Sequence, residues 1–253
     1  MNMQDLPAPL ALAFERQRAA LAAAPAPDWA TRADRLQRLQ RLLTEAEPAL
    51  IQAIDADFGG RPAIETELAE IWPSLEAVKG ALRHGRGWMA PRKAGVAKWF
   101  IPARAEVRPQ PLGVAGIISP FNFPAMIAFW FIPYAVATGN TVIVKPSSRV
   151  PITMVKLFKL MEEAGFPEGV VNMVHGGADM VNSILDHPLI KAVSFVGSTE
   201  VAKHVYSRGT ANGKRVSAAG GAKNPVLILP DADPDTTTAI MMDSAFGCSG
   251  QRC

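Results

Sequence analysis

From Gly113 onward the sequence alternates short apolar runs with longer segments of helical composition, and this alternation constrains the fold more than any other feature. The runs are four or five residues long and are bounded by glycine and proline, as buried parallel strands are. The pattern predicts strands at 114–118, 141–144, 170–174, 192–196 and 226–229. Between them it predicts helices at 124–137, 151–164, 179–185 and 199–206. Because strands separated by helices pair in parallel, we expect an α/β fold with a doubly wound parallel sheet.

The N-terminal residues, 1–90, have helical periodicity instead. Leucines recur along one helix face at Leu36, Leu39, Leu42 and Leu43. A row of arginines from Arg32 to Arg41 shares that helix, and we interpret it as a solvated face rather than a nucleic-acid stripe, since few aromatic residues accompany it. A glycine pair at 59–60 should end one helix, and Pro62 should begin the next, which runs to Trp88. Residues 97–110 partly alternate polar and apolar side chains, which predicts a strand or hairpin.

Charge, cysteine content and histidine spacing narrow the class of protein. The net charge is only +3, so we predict no nucleic-acid partner. The two cysteines, Cys248 and Cys253, do not form a disulfide framework, so we predict a cytoplasmic protein. The most apolar stretch, 125–137, is too short to span a bilayer and contains Pro133, so no membrane partner is expected. The four histidines lack metal-ligand spacing, and we predict no metal.

Three loops follow predicted strands at the edge where doubly wound sheets bind their ligands. The first loop contains Ser119, Pro120, Phe121 and Asn122. Asn122 is a polar amide in an apolar loop, and it is either a turn residue or a donor to a ligand. The second loop contains Lys145 and Ser148, and the lysine either snorkels to solvent or holds a phosphate or ribose. The third, Gly197 and Ser198, is a glycine turn at a helix start, which is typical of an anion site.

The last residues, GQRC, place Cys253 after a glycine-containing turn. A lone cysteine is usually inert packing, but here it completes an ordered set of motifs: SPFNFP, KPSS, FVGS and GQRC. This set resembles the aldehyde dehydrogenase superfamily, over nearly the whole chain and in the N-terminal half of that family's length. Residues 50–118, with DFGGRPAIETELAEIWPS and QPLGVAGIISP, are most similar to coniferyl-aldehyde-type dehydrogenases. Residues 119–253, with KPSSRVP and AFGCSGQRC, are more similar to methylmalonate-semialdehyde dehydrogenases.

The resemblance implies a reaction and the residues that perform it. Cys253 would attack a small aldehyde as a thiolate, and the Asn122 amide would stabilise the resulting oxyanion together with the Cys253 N–H. Hydride transfer to NAD or NADP would leave a thioester, which water or coenzyme A releases as an acid or an acyl-CoA. Lys145 and Ser148 would face the adenosine ribose, and Gly197 and Ser198 the pyrophosphate. Further cofactor contacts are implied for Ser119, Pro120, Phe121 and Gly177.

Three features depart from the family pattern. Ala219 stands where most members have the glutamate that activates the deacylating water, so we expect slow hydrolysis or transfer to coenzyme A. Ser148 replaces a glutamate that would repel a 2′-phosphate, so NADP should be tolerated. The chain is also much shorter than family members, and at this length it is not expected to oxidise aldehydes alone.

The domain prediction follows the same resemblance. Residues 1–92 and 112–221 would form the NAD(P)-binding domain, 93–111 an oligomerisation hairpin, and 222–253 the truncated start of a second α/β domain that is catalytic. A full-length chain would form a homo-oligomer, a dimer or a tetramer. Two alternatives stay open: a truncated, non-catalytic dinucleotide-binding or interaction protein, and a dehydrogenase that acylates coenzyme A from a small branched semialdehyde.

Overall fold

The computed structural model describes residues 6–24 and 26–252. Helices precede the sheet, as the periodicity predicts. They are α1 (Ala8–Ala23), α2 (Trp29–Glu45), α3 (Glu47–Phe58), α4 (Ala63–Thr66), a π-helical segment (Glu67–Ile71) and α5 (Trp72–Trp88). Helix α3 ends at the predicted glycine pair, where Gly59 adopts the left-handed conformation with φ 68°. The π-helical segment ends at Ile71, two residues before Pro73, whose ring nitrogen has no hydrogen to donate to the preceding turn.

Helix α2 packs its leucines into the core, and Leu36, Leu39 and Leu43 are fully buried. The interpretation of the arginine row as a solvated face is wrong at Arg32. This residue is only 8% exposed, and it donates to the carbonyl oxygens of Pro27 (2.7 Å) and Ala137 (3.3 Å). A three-residue repeat drifts around a helix of 3.6 residues per turn, so the row begins inside at Arg32 and reaches solvent at its far end.

A two-stranded antiparallel hairpin separates the helices from the sheet. Its strands are β1 (Arg92–Ala94) and β2 (Ala105–Val107). The predicted hairpin is therefore present, but its first strand lies before the predicted range of 97–110. Both strands are exposed, and the connection between them carries three exposed apolar side chains: Trp99, Phe100 and Ile101.

The predicted doubly wound sheet is confirmed. Its strands are β3 (Val114–Ile118), β4 (Thr141–Lys145), β5 (Val171–Met173), β6 (Ile190–Val196) and β7 (Arg215–Ala219). All neighbouring pairs are parallel, and the order is β5-β4-β3-β6-β7. The chain therefore winds outward from β3 to β5 and then returns to the other side at β6. The intervening helices are α6 (Pro124–Phe129), α7 (Ile132–Ala137), α8 (Pro151–Glu163), α9 (Ala178–Asp186) and α10 (Thr199–Ala211).

Two layers of helices cover the two faces of this sheet. Val142 and Val144 belong to the core that contains the α2 leucines, whereas Ile143, between them, packs with Phe14 of α1 and Ile184 of α9. Alternate side chains of this strand thus enter different cores, which is why the central strand β4 is apolar over most of its length.

In the α/β part of the chain, the structure corrects the sequence prediction at three further places. The strand predicted at 226–229 is wrong: the segment is irregular, Leu227 is 86% exposed, and the described residues provide no strand beside it. Strand β7 was not predicted, because its sequence, RVSAA, contains one large apolar residue and lies at the sheet edge. The helix predicted at 124–137 is two helices, since Pro133 cannot donate a backbone hydrogen bond across the break.

The C-terminal segment contains helix α11 (Pro234–Phe246) and a 3₁₀ turn (Gly247–Gly250). Asp233 caps α11 by accepting a hydrogen bond from the Thr236 amide (2.8 Å). Within residues 6–24 and 26–252, no helix combines the length and apolarity needed to cross a bilayer.

Candidate active site

The reversal of strand order falls between β3 and β6, and the predicted cofactor residues lie along that edge. Ser119 follows β3, Lys145 ends β4, and Gly197 follows β6. The Ser119 amide donates to the carbonyl oxygen of Lys145, and the Gly197 amide donates to that of Ala219, both at 3.1 Å. Neighbouring strands therefore end level with one another, at the position where doubly wound sheets bind ligands.

Side chains suited to a nucleotide lie at the β3 and β4 ends of this edge. The Ser119 hydroxyl is buried and has no hydrogen-bond partner within the described chain. Burial lowers the pKa of the Lys145 amine, and Ser148 beyond it is exposed. The guanidinium of Arg149 lies 5.3 Å from the centre of the Phe121 ring, which leaves the exposed loop basic on one side. Pro120, before that ring, is half-buried.

The other end of the edge is formed by backbone and small side chains. Gly197 has no room for a side chain, because a Cβ atom there would lie 2.5 Å from the Phe195 ring. Ser198 is the exposed N-cap residue of α10, and Gly177 is the exposed N-cap residue of α9. Ala219, at the end of β7, is exposed and offers no titratable group.

Asn122 reaches from the β3 loop to the C-terminal turn. Its side-chain amide donates to the carbonyl oxygen of Gln251 at 2.8 Å, two residues before Cys253 in the sequence. Cys253, the predicted nucleophile, lies outside the described residues. The contact with Gln251 distinguishes Asn122 from a turn residue that bonds only within its own loop. Its role toward an oxyanion stays a prediction.

The turn that leads to Cys253 has an unusual backbone. Cys248 and Ser249 adopt positive φ angles of 53° and 56°, which non-glycine residues rarely do. The Cys248 amide donates to a carboxylate oxygen of Glu65 at 3.2 Å. Burial, and then the Glu65 carboxylate, raise the pKa of the Cys248 thiol. Cys248 is therefore poorly suited to act as a thiolate nucleophile at neutral pH.

An open cleft of about 460 Å³ lies between this turn and helix α6. Its apolar walls are Leu68, Ala69, Pro73, Phe123, Met126 and Trp130. Glu65 and Arg252 supply the charges in the cleft, and Cys248 lies on its lining. Within the described chain, no group of three or more histidine, cysteine, aspartate or glutamate side chains is arranged to hold a metal ion.

Sequence reasoning missed a buried ion pair behind the Asn122 loop. Arg61 donates to Glu70 Oε1 at 3.0 Å and to the backbone carbonyl of Asn122 at 3.2 Å. Glu70 Oε2 accepts from the amides of Ala125 and Met126, at 3.0 and 2.8 Å, and so caps α6. Burial raises the Glu70 pKa to about 7, against the opposing effect of these amides and of Arg61.

The sequence did contain a signal for this ion pair. Thr66, Glu70 and Ser74 follow one another at four-residue spacing, and all three are fully buried. Such spacing places them on one face of a helix, where a polar row can mark a buried network instead of a solvated surface.

Comparison with known proteins identifies the family. The aldehyde dehydrogenase family model matches residues 8–253. The malonate-semialdehyde dehydrogenase of Lacticaseibacillus casei is 43% identical over 222 residues, which are 88% of this chain and 44% of that protein. The crystal structure of methylmalonate-semialdehyde dehydrogenase from Oceanimonas doudoroffii superposes with a TM-score of 0.85 at 34% identity, over 95% of this chain and 48% of that one.

A third structure, the NAD⁺ complex of an aldehyde dehydrogenase from Bacillus cereus, superposes with a TM-score of 0.81 at 29% identity. The match covers 90% of this chain and 47% of the Bacillus cereus chain. The chain thus spans about half the length of the relatives that it matches most fully. The similarity to coniferyl-aldehyde-type enzymes at 50–118 and the domain boundaries stay predictions. The motifs, the strand order and the family match agree, and the chain belongs to the aldehyde dehydrogenase family.

Proposed function

We propose that this chain supplies the cofactor edge, the oxyanion donor and the cysteine nucleophile of an NAD(P)-dependent aldehyde dehydrogenase that transfers its acyl group to coenzyme A. The hydrogen bond from the Asn122 amide to Gln251 is the main support. It joins the polar residue of the β3 loop to the turn that precedes Cys253. An amide donor beside the segment that carries the nucleophile is what a reaction with an oxyanion intermediate requires.

The chain's own residues would act in the following order. The Cys253 thiolate forms a bond to the aldehyde carbon, and the carbonyl electrons move to oxygen. The Asn122 amide then stabilises this oxyanion by a hydrogen bond, and such a donor contributes about 3 kcal/mol to the transition state. When the oxyanion collapses, a hydride leaves the same carbon and Cys253 retains the acyl group as a thioester.

We infer that a dinucleotide binds along the edge of the sheet. The unpartnered Ser119 hydroxyl and the Lys145 amine are suited to the adenosine ribose, and the backbone at Gly197 and Ser198 to the pyrophosphate at the start of α10. A bound nicotinamide supplies the acceptor for the hydride. Ser148 carries no charge that would repel a 2′-phosphate, so we expect NADP to be accepted as well as NAD.

Ala219 supports coenzyme A as the acyl acceptor. It ends β7 beside Gly197, and its methyl group cannot remove a proton from water. At a pH near the pKa of its thiol, coenzyme A ionises to the thiolate without the help of a protein base. The thiolate then replaces Cys253 in the thioester, and exchange of one thioester for another is chemically easy. Water should therefore release the acyl group slowly and coenzyme A quickly.

We infer a short semialdehyde as the substrate class. The cleft has apolar walls suited to a carbon chain, and Arg252 supplies a cation for a terminal carboxylate. The name of the Lacticaseibacillus casei relative specifies such a substrate, malonate semialdehyde. We also infer a cytoplasmic homo-oligomer that buries the exposed Trp99, of which 82% is accessible in the isolated chain.

The test is a comparison of substrates with the full-length enzyme. NADH formation would be followed with malonate semialdehyde, with propanal as the matched aldehyde without a carboxylate, and with coniferyl aldehyde, each with and without coenzyme A. We expect the highest kcat/KM for the semialdehyde and faster turnover with coenzyme A. Rapid turnover without coenzyme A would refute the acyl-acceptor assignment, and a preference for coniferyl aldehyde would refute the substrate class.

A further inference from the structure

We propose that Arg61 is a positioning residue that holds together the two parts of the oxyanion site, the Asn122 loop and the turn that leads to Cys253. This role rests on the proposed function. Arg61 lies outside the cleft lining and would not touch the substrate, so it would act through its contacts with both parts.

The first set of contacts fixes the Asn122 loop. The Arg61 guanidinium donates to the Asn122 backbone carbonyl at 3.2 Å, and its partner Glu70 accepts the amides of Ala125 and Met126. The beginning of α6 and the residue that carries the oxyanion donor are thus bonded to one buried pair. The Glu70 side chain is fully buried and the Arg61 side chain is 4% exposed, so water does not compete for these bonds.

The second set reaches the cysteine turn through Glu65. The Arg61 Nε atom lies 3.7 Å from one oxygen of the Glu65 carboxylate, and the other oxygen accepts the Cys248 amide at 3.2 Å. This carboxylate therefore meets the turn at the residues with positive φ, where the backbone needs external contacts to hold its conformation. Asn122 also contacts this segment directly, because its side-chain amide donates to the Gln251 carbonyl.

The shape of the Arg61 pocket favours a guanidinium over an ammonium. The planar group lies 4.9 Å from the centre of the Phe58 ring and 5.0 Å from that of Phe123. The Nη1 atom donates both to Glu70 and to the Asn122 carbonyl, while Nε faces Glu65 from the other side of the group. A lysine has a single nitrogen and could not occupy both positions. The arrangement links α3, α4 and α6 to the turn, and it fixes distances on which an oxyanion site depends.

The experiment compares Arg61→Gln with the matched control Arg32→Gln in the full-length enzyme. Arg32 is also a buried arginine bonded to backbone carbonyls, but it lies away from the cleft. The readouts are Tm, KM, kcat and the rate constant of the first NADH burst, which reports acylation of Cys253. For Arg61→Gln we expect the burst rate constant and kcat to fall about 10- to 100-fold, with KM for the aldehyde changed less than about threefold.

Arg32→Gln should lower Tm and leave the burst rate constant of the folded enzyme within about twofold of the wild type. If Arg61→Gln does not fold, Arg61→Lys replaces it, and the same fall is expected at a Tm near that of the wild type. A burst rate constant that is unchanged in the folded Arg61 variant, or that falls equally in the Arg32 variant, would overturn the positioning role. An inactive wild-type enzyme would instead overturn the proposed function and this role with it.

Discussion

Titration of Glu70 provides a quantitative test of the buried pair behind the Asn122 loop. Burial raises its pKa from the ordinary value of 4.5 to about 7, although Arg61 and two amides oppose this. The folded protein therefore binds the Glu70 proton more tightly than the unfolded chain does. The stability that this provides is fully present below the unfolded pKa and is lost as the pH rises through the folded one. Between pH 5 and pH 8 the loss should be on the order of 2 to 3 kcal/mol.

The perturbation is Glu70→Gln, which removes the titration, and the assay is urea unfolding at pH 5, 6, 7 and 8. The titration of groups that both proteins share contributes equally to both unfolding free energies and cancels when one is subtracted from the other. His187 is one such group, and burial lowers its pKa to about 4. We expect the wild type to lose on the order of 2 to 3 kcal/mol more free energy of unfolding than Glu70→Gln across this range. Glu76→Gln removes an exposed carboxylate from the same region and provides the matched charge control.

Parallel pH dependences in the wild type and Glu70→Gln would refute the reasoning. A wild type that becomes relatively more stable with rising pH would show that pairing with Arg61 dominates over burial. The sign of the difference therefore decides which of the two effects controls this carboxyl.

Three further predictions concern the site itself. Asn122→Ala removes the proposed oxyanion donor, so kcat should fall about 100-fold with little change in KM; steady-state values within about threefold of the wild type would contradict the assignment. Gly197→Ala places a Cβ atom 2.5 Å from the Phe195 ring and forces the turn before α10 to shift, so calorimetry should give a higher Kd for NAD; an unchanged Kd would argue against a cofactor at this turn. Ser148→Glu should raise the Kd for NADP about tenfold and spare NAD, since a carboxylate repels the 2′-phosphate; equal weakening of both would indicate a damaged fold.

The central sheet could be predicted because its signal is local. The apolar runs at β3 and β4 are buried on both faces, and β6 has one buried face and one that is largely half-buried, so the hydrophobicity of each segment is visible in its own sequence. The loops after these strands were also predictable, because parallel strands must bring their carboxyl ends to one edge.

Other features depend on contacts that are distant in the sequence. Strand β7 is defined by pairing with β6, and the apolar run at 226–229 has no such partner within the described residues. The Arg61–Glu70 pair joins a loop to a helix face and then to the backbone 55 residues further on. Its residues look like ordinary surface charges until the fold brings Ala125 next to Glu70.

The most direct test of the central claim is peptide mass spectrometry of the full-length enzyme, quenched with acid after incubation with aldehyde and NAD but without coenzyme A. We predict an acyl group as a thioester on Cys253, which disappears when coenzyme A is added before the quench. Cys248 should remain unmodified, because burial and Glu65 raise the pKa of its thiol. An acyl group on Cys248, or none on either cysteine while NADH is formed, would contradict the assignment of Cys253 as the nucleophile.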